Sequence, residues 1–285
     1  MKKLLILSGK GGTGKTTVAS AFVKFFDNYI FADCDVDAPN LHLVLAKENK
    51  PITNDFYGLE KAVIDEDECI GCGECYNKCR FDAIEKMVTS FKVDEFACEG
   101  CSVCHLVCPV GAVKMIDDVA GELMLYNKDM IFSTAKLKMG RGNSGKLVTE
   151  VKKQLPADTS ERIAVIDGSP GIGCPVIASI SGVDFVLIVA EPSLSGMSDM
   201  ERILKTANIF QTKVAVCINK YDTCVEIAQK IEEYCKDNNI AFVGKIPYDK
   251  SVSKAINAGK TIADVDCKAR DSLMNVFSNT VSLII

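Results

Sequence analysis

The chain has 285 residues, 48% of them apolar and 25% charged, with a formal net charge of −5. No run approaches 18 apolar residues, which excludes a membrane-spanning helix, and Met1-Lys-Lys is followed by only five residues before Gly9, too few for a signal peptide. Fourteen cysteines without an export signal fit a reducing cytoplasm better than a disulfide-stapled secreted fold.

Residues 3–8 (Lys-Leu-Leu-Ile-Leu-Ser) read as a buried strand and 15–27 as the helix after a glycine turn. Between them Gly9-Lys10-Gly11-Gly12-Thr13-Gly14-Lys15-Thr16, followed by Thr17, fits the phosphate-binding pattern G-x4-G-K-[ST]. Glycines let consecutive backbone N–H groups curl around phosphates, and the helix N-terminus adds a favourable dipole. Lys15 is placed to pair with the β- and γ-phosphates of ATP, and Thr16 to offer its hydroxyl to Mg²⁺. A short apolar run from Tyr29 to Ala32 then ends at Asp33, with Asp35 and Asp37 beyond it. Carboxylates facing a triphosphate need Mg²⁺ between them and it, so Asp33 and Asp35 read as functional and Asp37 as a solvated loop residue.

From about Ala62 to Asp118 this pattern is interrupted by a duplicated cysteine motif, giving expected domains of 1–61 with 119–285, and 62–118. The two runs are Cys69-x2-Cys72-x2-Cys75-x3-Cys79 and Cys98-x2-Cys101-x2-Cys104-x3-Cys108, offset by 29 residues. Four cysteines within eleven residues suit a [4Fe–4S] cluster, whereas structural zinc, the rival for paired C-x2-C motifs, favours two separated pairs. By the two-cluster rule, the fourth cysteine of each run ligates the other cluster. One cluster is then expected on Cys69, Cys72, Cys75 and Cys108, the other on Cys98, Cys101, Cys104 and Cys79. Arg80 stands where the second run has Pro109, a departure that weakens the first motif. Residues 63–118 carry 12 acidic and 5 basic side chains, which argues against contact with nucleic acid.

Further on, 121–137 alternates as strands returning to the sheet. Strands are expected at 163–167, 185–190, 213–218 and 240–243, and helices at 196–211, 222–237, 250–258 and 268–280. Alternating buried strands and helices imply an α/β fold, a mainly parallel sheet with helices on both faces.

The loop Lys10-Gly-Gly-Thr-Gly-Lys-Thr-Thr17 resembles the deviant P-loop of the MinD/ParA/nitrogenase-iron-protein family. The resemblance continues at Asp33-Cys-Asp35-Val-Asp-Ala-Pro-Asn40-Leu41 and Asp167-Gly-Ser-Pro-Gly171, similar to the two switches, and at Asn219-Lys220 and Ile246-Pro247-Tyr248-Asp249. It implies an ATP-dependent homodimer or paralogue heterodimer in which Lys10 reaches the partner's nucleotide. It further implies that Asp35 orients the attacking water, Asp33 and Asp167 approach Mg²⁺ through water, Asn40 helps line the site, and Asn219 and Pro247 line the adenine site. The whole chain is similar to a MinD-superfamily ATPase containing an inserted α+β bacterial-type ferredoxin domain.

Cys174, seven residues after Asp167, has a spacing similar to that of an interface cluster ligand in the nitrogenase-iron-protein branch, and Gly140-Arg141-Gly142 resembles that branch's docking loop. The second interface cysteine has no counterpart near Lys138-Met139. The competing reading of Cys174 is a small buried thiol on a turn. The terminal segment 273–285 reads as a helix packed on the sheet, because its polar face lacks the Lys and Arg of a lipid-binding helix.

The expected function is ATP hydrolysis coupled to electron transfer or metallocluster maturation on a redox or cluster-accepting partner protein. The alternatives are an iron–sulfur or heterometal cluster carrier or scaffold, and a MinD-like spatial regulator.

Overall fold

Strand β1 (Lys2–Leu7) buries its last four side chains, and helix α1 (Lys15–Phe25) leaves the turn that follows. The computed structural model describes residues 1–27, 30–46, 50–157 and 162–285. After β2 (Ile30–Asp33) come the one-turn α2 (His42–Leu45) and β3 (Ile52–Tyr57). Next are β4 (Lys61–Ile64), α3 (Glu74–Lys78), β5 (Ile84–Lys86), β6 (Phe91–Val93), α4 (Val103–Val107) and β7 (Val113–Ile116). Then follow β8 (Val119–Tyr126), β9 (Ile131–Leu137), α5 (Ser144–Lys153), β10 (Ile163–Asp167), α6 (Cys174–Ile180), β11 (Phe185–Ala190) and α7 (Leu194–Ile209). The chain closes with β12 (Lys213–Asn219), α8 (Val225–Asp237), β13 (Ala241–Ile246), α9 (Lys250–Asn257) and α10 (Lys268–Ile284).

Two compact units result. The larger comprises Met1–Thr53, Leu123–Lys136 and Ser144–Ile285, and the second, which holds both cysteine runs, comprises Asn54–Glu122 and Leu137–Asn143. The large sheet has the order β13-β12-β11-β1-β10-β2-β9-β8-β3, and every described pairing from β13 to β9 is parallel. A parallel sheet needs cover on both faces. Leu4 and Ile6 of β1 accordingly pack in a core with Val18 and Phe22 of α1 and Leu273 and Val276 of α10, while Leu5 and Leu7, alternating with them, are equally buried. Phe277 of α10 meets Phe22 edge-on at 5.1 Å, and Ile284 is buried near the chain end, so α10 is docked along its length. Among the described residues no helix is long and apolar enough to cross a membrane.

The register matters most for the site. Asp167 pairs with Asp33 across β10 and β2, and Ile6 pairs with Asp167 across β1 and β10. Two carboxylates thus stand side by side at the carboxyl ends of neighbouring central strands, beside the loop that leaves β1. Ligand sites of open α/β sheets occupy this end.

The cysteine unit is built from two antiparallel ladders, β4 with β7 and β5 with β6. Its core cluster is small: Ala62, Ile64, Cys75, Ala83, Ile84, Phe91, Cys98 and Val113. The duplication repeats in the backbone. Gly73 and Ser102 are left-handed residues before α3 and α4, and Cys79 and Cys108 are extended residues after them.

Several boundaries differ from expectation for local reasons. Helix α1 stops at Phe25, not residue 27, because Asp27 adopts φ 47°. The strand expected from Tyr29 begins at Ile30, Tyr29 itself lying outside the described residues. Helix α7 starts two residues early, since Ser193 caps it by accepting a hydrogen bond from the Gly196 N–H at 3.0 Å. Helix α8 begins at Val225, the expected start at 222 falling in a 3₁₀ turn, Tyr221–Thr223. β13 extends three residues beyond 243, and α10 four beyond 280.

Candidate functional site

The loop between β1 and α1 is clamped from β12. Asn219 donates from Nδ2 to the Thr13 carbonyl at 2.6 Å, and Lys220 donates from Nζ to the Gly12 carbonyl at 3.0 Å. Gly14, at φ 92°, allows this clamp, since a Cβ there would lie 2.2 Å from Asn219 Nδ2. Gly11 and Gly12 are exposed, with nothing within 4 Å of where a Cβ would be, so the outer face of the loop is open to a ligand. Thr16 and Thr17 are half-buried in the first turn of α1.

Lys15 and Asp167 form a buried ion pair, Nζ to Oδ1, at 2.6 Å. Burial alone would lower the Lys15 pKa, but the charge of Asp167 and its hydrogen bond more than offset this and raise it. The other Asp167 oxygen, Oδ2, and the Thr13 hydroxyl are buried without a hydrogen-bond partner. Buried polar atoms in that state are costly and call for a ligand or ion.

Asp33 accepts backbone N–H groups from Asp35, Asn40 and Leu41, each at 3.0 Å, which folds the 34–41 loop around one carboxyl. Burial and the neighbouring Asp167 push its pKa up to about 7 against the pull of those N–H groups and Lys15. Asp35 is half-buried and also raised, by burial first, while Asp37 and Asn40 are exposed. The two loops are tied together: the Cys34 N–H donates to the Asp167 carbonyl at 2.7 Å, and the Ser169 hydroxyl donates to the Cys34 carbonyl.

Lys10 points within its own chain, to Glu191 at 2.6 Å, with the Ser193 and Ser195 hydroxyls at 3.5 and 3.4 Å. Sequence reasoning missed Glu191, because nothing local marks the residue after β11 as a partner for a loop 181 positions earlier. Next to the P-loop, a cleft runs from Gly12, Gly14 and Thr17 past Asn219 to Pro247 and Tyr248, with Val18, Ile246, Ile262 and Leu273 among its apolar lining. The Tyr248 N–H donates to the Asp222 carboxylate at 2.7 Å and holds this wall.

In the cysteine unit the eight thiols fall into two groups. One cavity is lined by Cys69, Cys72, Cys75 and Cys108, the other by Cys79, Cys98, Cys101 and Cys104. Each fourth cysteine therefore faces the run to which it does not belong. Burial raises the Cys75 and Cys104 thiols. Burial would raise Cys108 too, but backbone N–H groups at 110–113 more than offset it and hold it below the usual thiol range. Among the described residues no three His, Cys, Asp or Glu side chains are arranged to hold a single metal ion. His105 contacts the Val113 carbonyl through Nδ1 at 2.6 Å, a structural bond and not a cavity contact.

One expectation is corrected. Cys174 is not a buried thiol: it is exposed, as the first residue of α6, directly after the extended Gly173. Within the Gly140-Arg141-Gly142 segment both glycines are exposed and the arginine is engaged. Arg141 Nη2 pairs with Glu95 at 2.6 Å and Asp118 at 3.0 Å, leaving its side chain 9% exposed.

The description of the CobQ/CobB/MinD/ParA nucleotide binding domain family matches residues 4–262. An uncharacterized protein of Methanocaldococcus jannaschii is 31% identical, over 99% of this chain and 97% of its own. An iron-sulfur cluster carrier protein of Pyrococcus abyssi is 24% identical over 90% of this chain and 77% of its own. The solved structure of the septum site-determining protein MinD of Pyrococcus horikoshii, complexed with Mg-ADP, shares the fold, with a TM-score of 0.59 at 16% identity over 99% of this chain and 96% of that one. With an open phosphate loop, a buried lysine–aspartate pair and an adjoining apolar cleft on a parallel sheet, the chain belongs to the CobQ/CobB/MinD/ParA nucleotide-binding family and is an ATP-binding, MinD/ParA-like P-loop ATPase.

Proposed function

We propose that this protein couples an ATP-dependent dimer switch to electron transfer or metallocluster maturation on a partner protein. In this reading residues 62–118 form a ferredoxin domain inserted into an ATPase domain of 1–61 and 119–285. The observation that carries the reading is the lining of the two cysteine cavities, four thiols each, with the fourth thiol exchanged between runs. That donor set fits two [4Fe–4S] clusters, which take four thiolates each and, when bound, supply one-electron carriers. Cys69, Cys72, Cys75 and Cys108 would hold the first, and Cys98, Cys101, Cys104 and Cys79 the second.

At the nucleotide site the backbone N–H groups of Gly11, Gly12, Thr13 and Gly14 receive phosphate oxygens, and the base enters the cleft beside Asn219 and Pro247. Lys15 exchanges its carboxylate partner for the β- and γ-phosphates. That exchange would free Asp167, whose Oδ2 already lacks a partner, so that Asp167, Asp33 and the Thr16 hydroxyl would hold Mg²⁺, which would supply charge neutralisation to the phosphates. Asp35 orients the water that displaces ADP from the γ-phosphoryl group. Lys10 leaves Glu191 to neutralise charge on the nucleotide of a second copy or a paralogue.

A second reading, a carrier that delivers a cluster to an apo-protein, is favoured by the name of the Pyrococcus abyssi relative. Anaerobic iron and sulfide analysis, followed by re-oxidation of the reduced protein by candidate acceptors under ATP, ADP or no nucleotide, separates the two. Stable clusters whose re-oxidation rate depends on nucleotide support coupled electron transfer. Transfer of iron and sulfide to an apo-ferredoxin supports the carrier. Zinc without iron removes both. Asp35→Asn is expected to retain ATP binding and lose hydrolysis by about 10²-fold or more, read by phosphate release.

A further inference from the structure

The loop 168–173 hangs on the nucleotide site. Gly168 N–H donates to the Ile6 carbonyl at 2.9 Å and Gly171 N–H to the Ser8 carbonyl at 3.1 Å, on either side of the Ser169 bond to Cys34. Helix α6 begins at the next residue, Cys174, and is fixed to α5 at both ends. At its start, Gly145 of α5 lies so close that a Cβ there would be 3.3 Å from the Cys174 carbonyl oxygen. At its finish, Lys152 of α5 donates from Nζ to the carbonyls of Ala178 at 2.9 Å and Ser179 at 2.8 Å, and to Ser181 as a third. An ammonium on the last carbonyls of a helix satisfies groups that the helix cannot, and complements its dipole. Close-packed elements held at two points respond as one body, not by continuous deformation.

Helix α5 starts at Ser144, one peptide bond after Asn143, the last residue of the 137–143 segment that belongs to the cysteine unit. Within that unit Arg141 anchors the segment. Besides its two carboxylate partners, Nη1 donates to the Glu95 carbonyl at 2.8 Å, and the guanidinium lies 5.3 Å from the centre of the Phe96 ring. From there Asp94 links onward, because its carbonyl accepts the N–H of Cys98, a thiol of the second cavity, at 3.0 Å.

We propose that α5 and α6 relay the nucleotide state of loop 168–173 to the second cysteine cavity, with Lys152 and Arg141 as the positioning residues at the two ends of the relay. The proposal rests on the nucleotide-switch reading and specifies its route. A displacement of the loop moves α6, Lys152 and Gly145 pass it to α5, and the 137–143 segment delivers it through Arg141 to Glu95–Cys98. Neither residue touches nucleotide.

Hydrogen exchange of the full chain, with and without a non-hydrolysable ATP analogue and Mg²⁺, tests this. In wild type the analogue should slow exchange at 9–17 and alter it at 137–143 and 94–104. Lys152→Met should keep the effect at 9–17 and weaken the coupling to both distant segments by about two- to thirtyfold, the range for single residues on a coupling route. Lys152→Arg should restore it, which a purely structural role for the stem would not require. Arg141→Gln should retain the response at 137–143 and lose it at 94–104. If wild type responds at 9–17 but not at 137–143, or if both variants respond undiminished at 94–104, the relay is wrong. No response at 9–17 in wild type would instead remove the nucleotide switch, and the relay with it. Should Lys152→Met fail to fold, Arg141→Gln decides the question from the other end.

Discussion

The two sites of this chain are built on opposite plans. At the nucleotide site the charged groups are held in place before any ligand arrives: Lys15 is 5% exposed and paired with Asp167, and the fully buried Asp33 accepts backbone N–H groups. In the cysteine unit the donors line cavities above a core cluster of only eight buried residues. A core that small rarely sustains a fold unaided, and natural domains of this kind add a metal or cross-links. One site is thus a preformed receptor, and the other, on the function proposed above, is a scaffold that a cluster would complete.

If the cysteine cavities hold the proposed clusters, stripping iron should separate the two plans most sharply. Chelation under reducing conditions is expected to expose 54–122 to proteolysis while the larger unit stays protected; equal resistance of both would erase the contrast. Next in size, Lys15→Met leaves the Asp167 carboxylate buried and unpaired, which should cost about 3–5 kcal/mol in the larger unit and abolish ATP binding, as read by urea unfolding and calorimetry. A glycine pair inside the cysteine unit gives a smaller and graded effect. Gly100→Ala, at φ 68° with its Cβ 2.4 Å from the Glu60 carbonyl oxygen, should cost more than the about 1 kcal/mol expected for Gly111→Ala, at φ 72° in open space.

The smallest effect is a pH slope. Burial lowers the Lys152 pKa to about 8 from 10.5, and the positive charge of Lys3 adds to the effect, while the buried Cys34 thiol stays neutral over this range. Between those values unfolding takes up a proton, so this group's contribution favours the folded state as pH rises from 8 to 10.5 and is lost as pH falls through 8. The stability difference between wild type and Lys152→Met should therefore drift in favour of wild type across that window.

What can be read from the sequence follows from how local the cause is. The P-loop, the strand ends at Asp33 and Asp167 and the cysteine spacing depend on neighbours within a few residues, so their placement is legible. Helix α6 is not: it is only seven residues long and opens with Cys174-Pro175, too short for a helical period to stand out, whereas the start of α5 is marked by Asn143-Ser144 as a cap. Arg141 and Glu95 are 46 positions apart, Lys10 and Glu191 are 181, and only the fold brings them together. The exposed Cys174 misleads for a related reason, since a cysteine carries no mark in the sequence that tells core from surface.

The exchange of the fourth thiol between the two runs has a consequence for assembly. Cys79 and Cys108 close each other's cavities, so the two halves of the cysteine unit are interlocked like links and neither is complete when synthesised alone. The first half must wait for Cys108 to emerge before its own cavity is whole, which makes its contacts non-local and slows its folding. A chain cut between β5 and β6 would hence lose both cavities, not one.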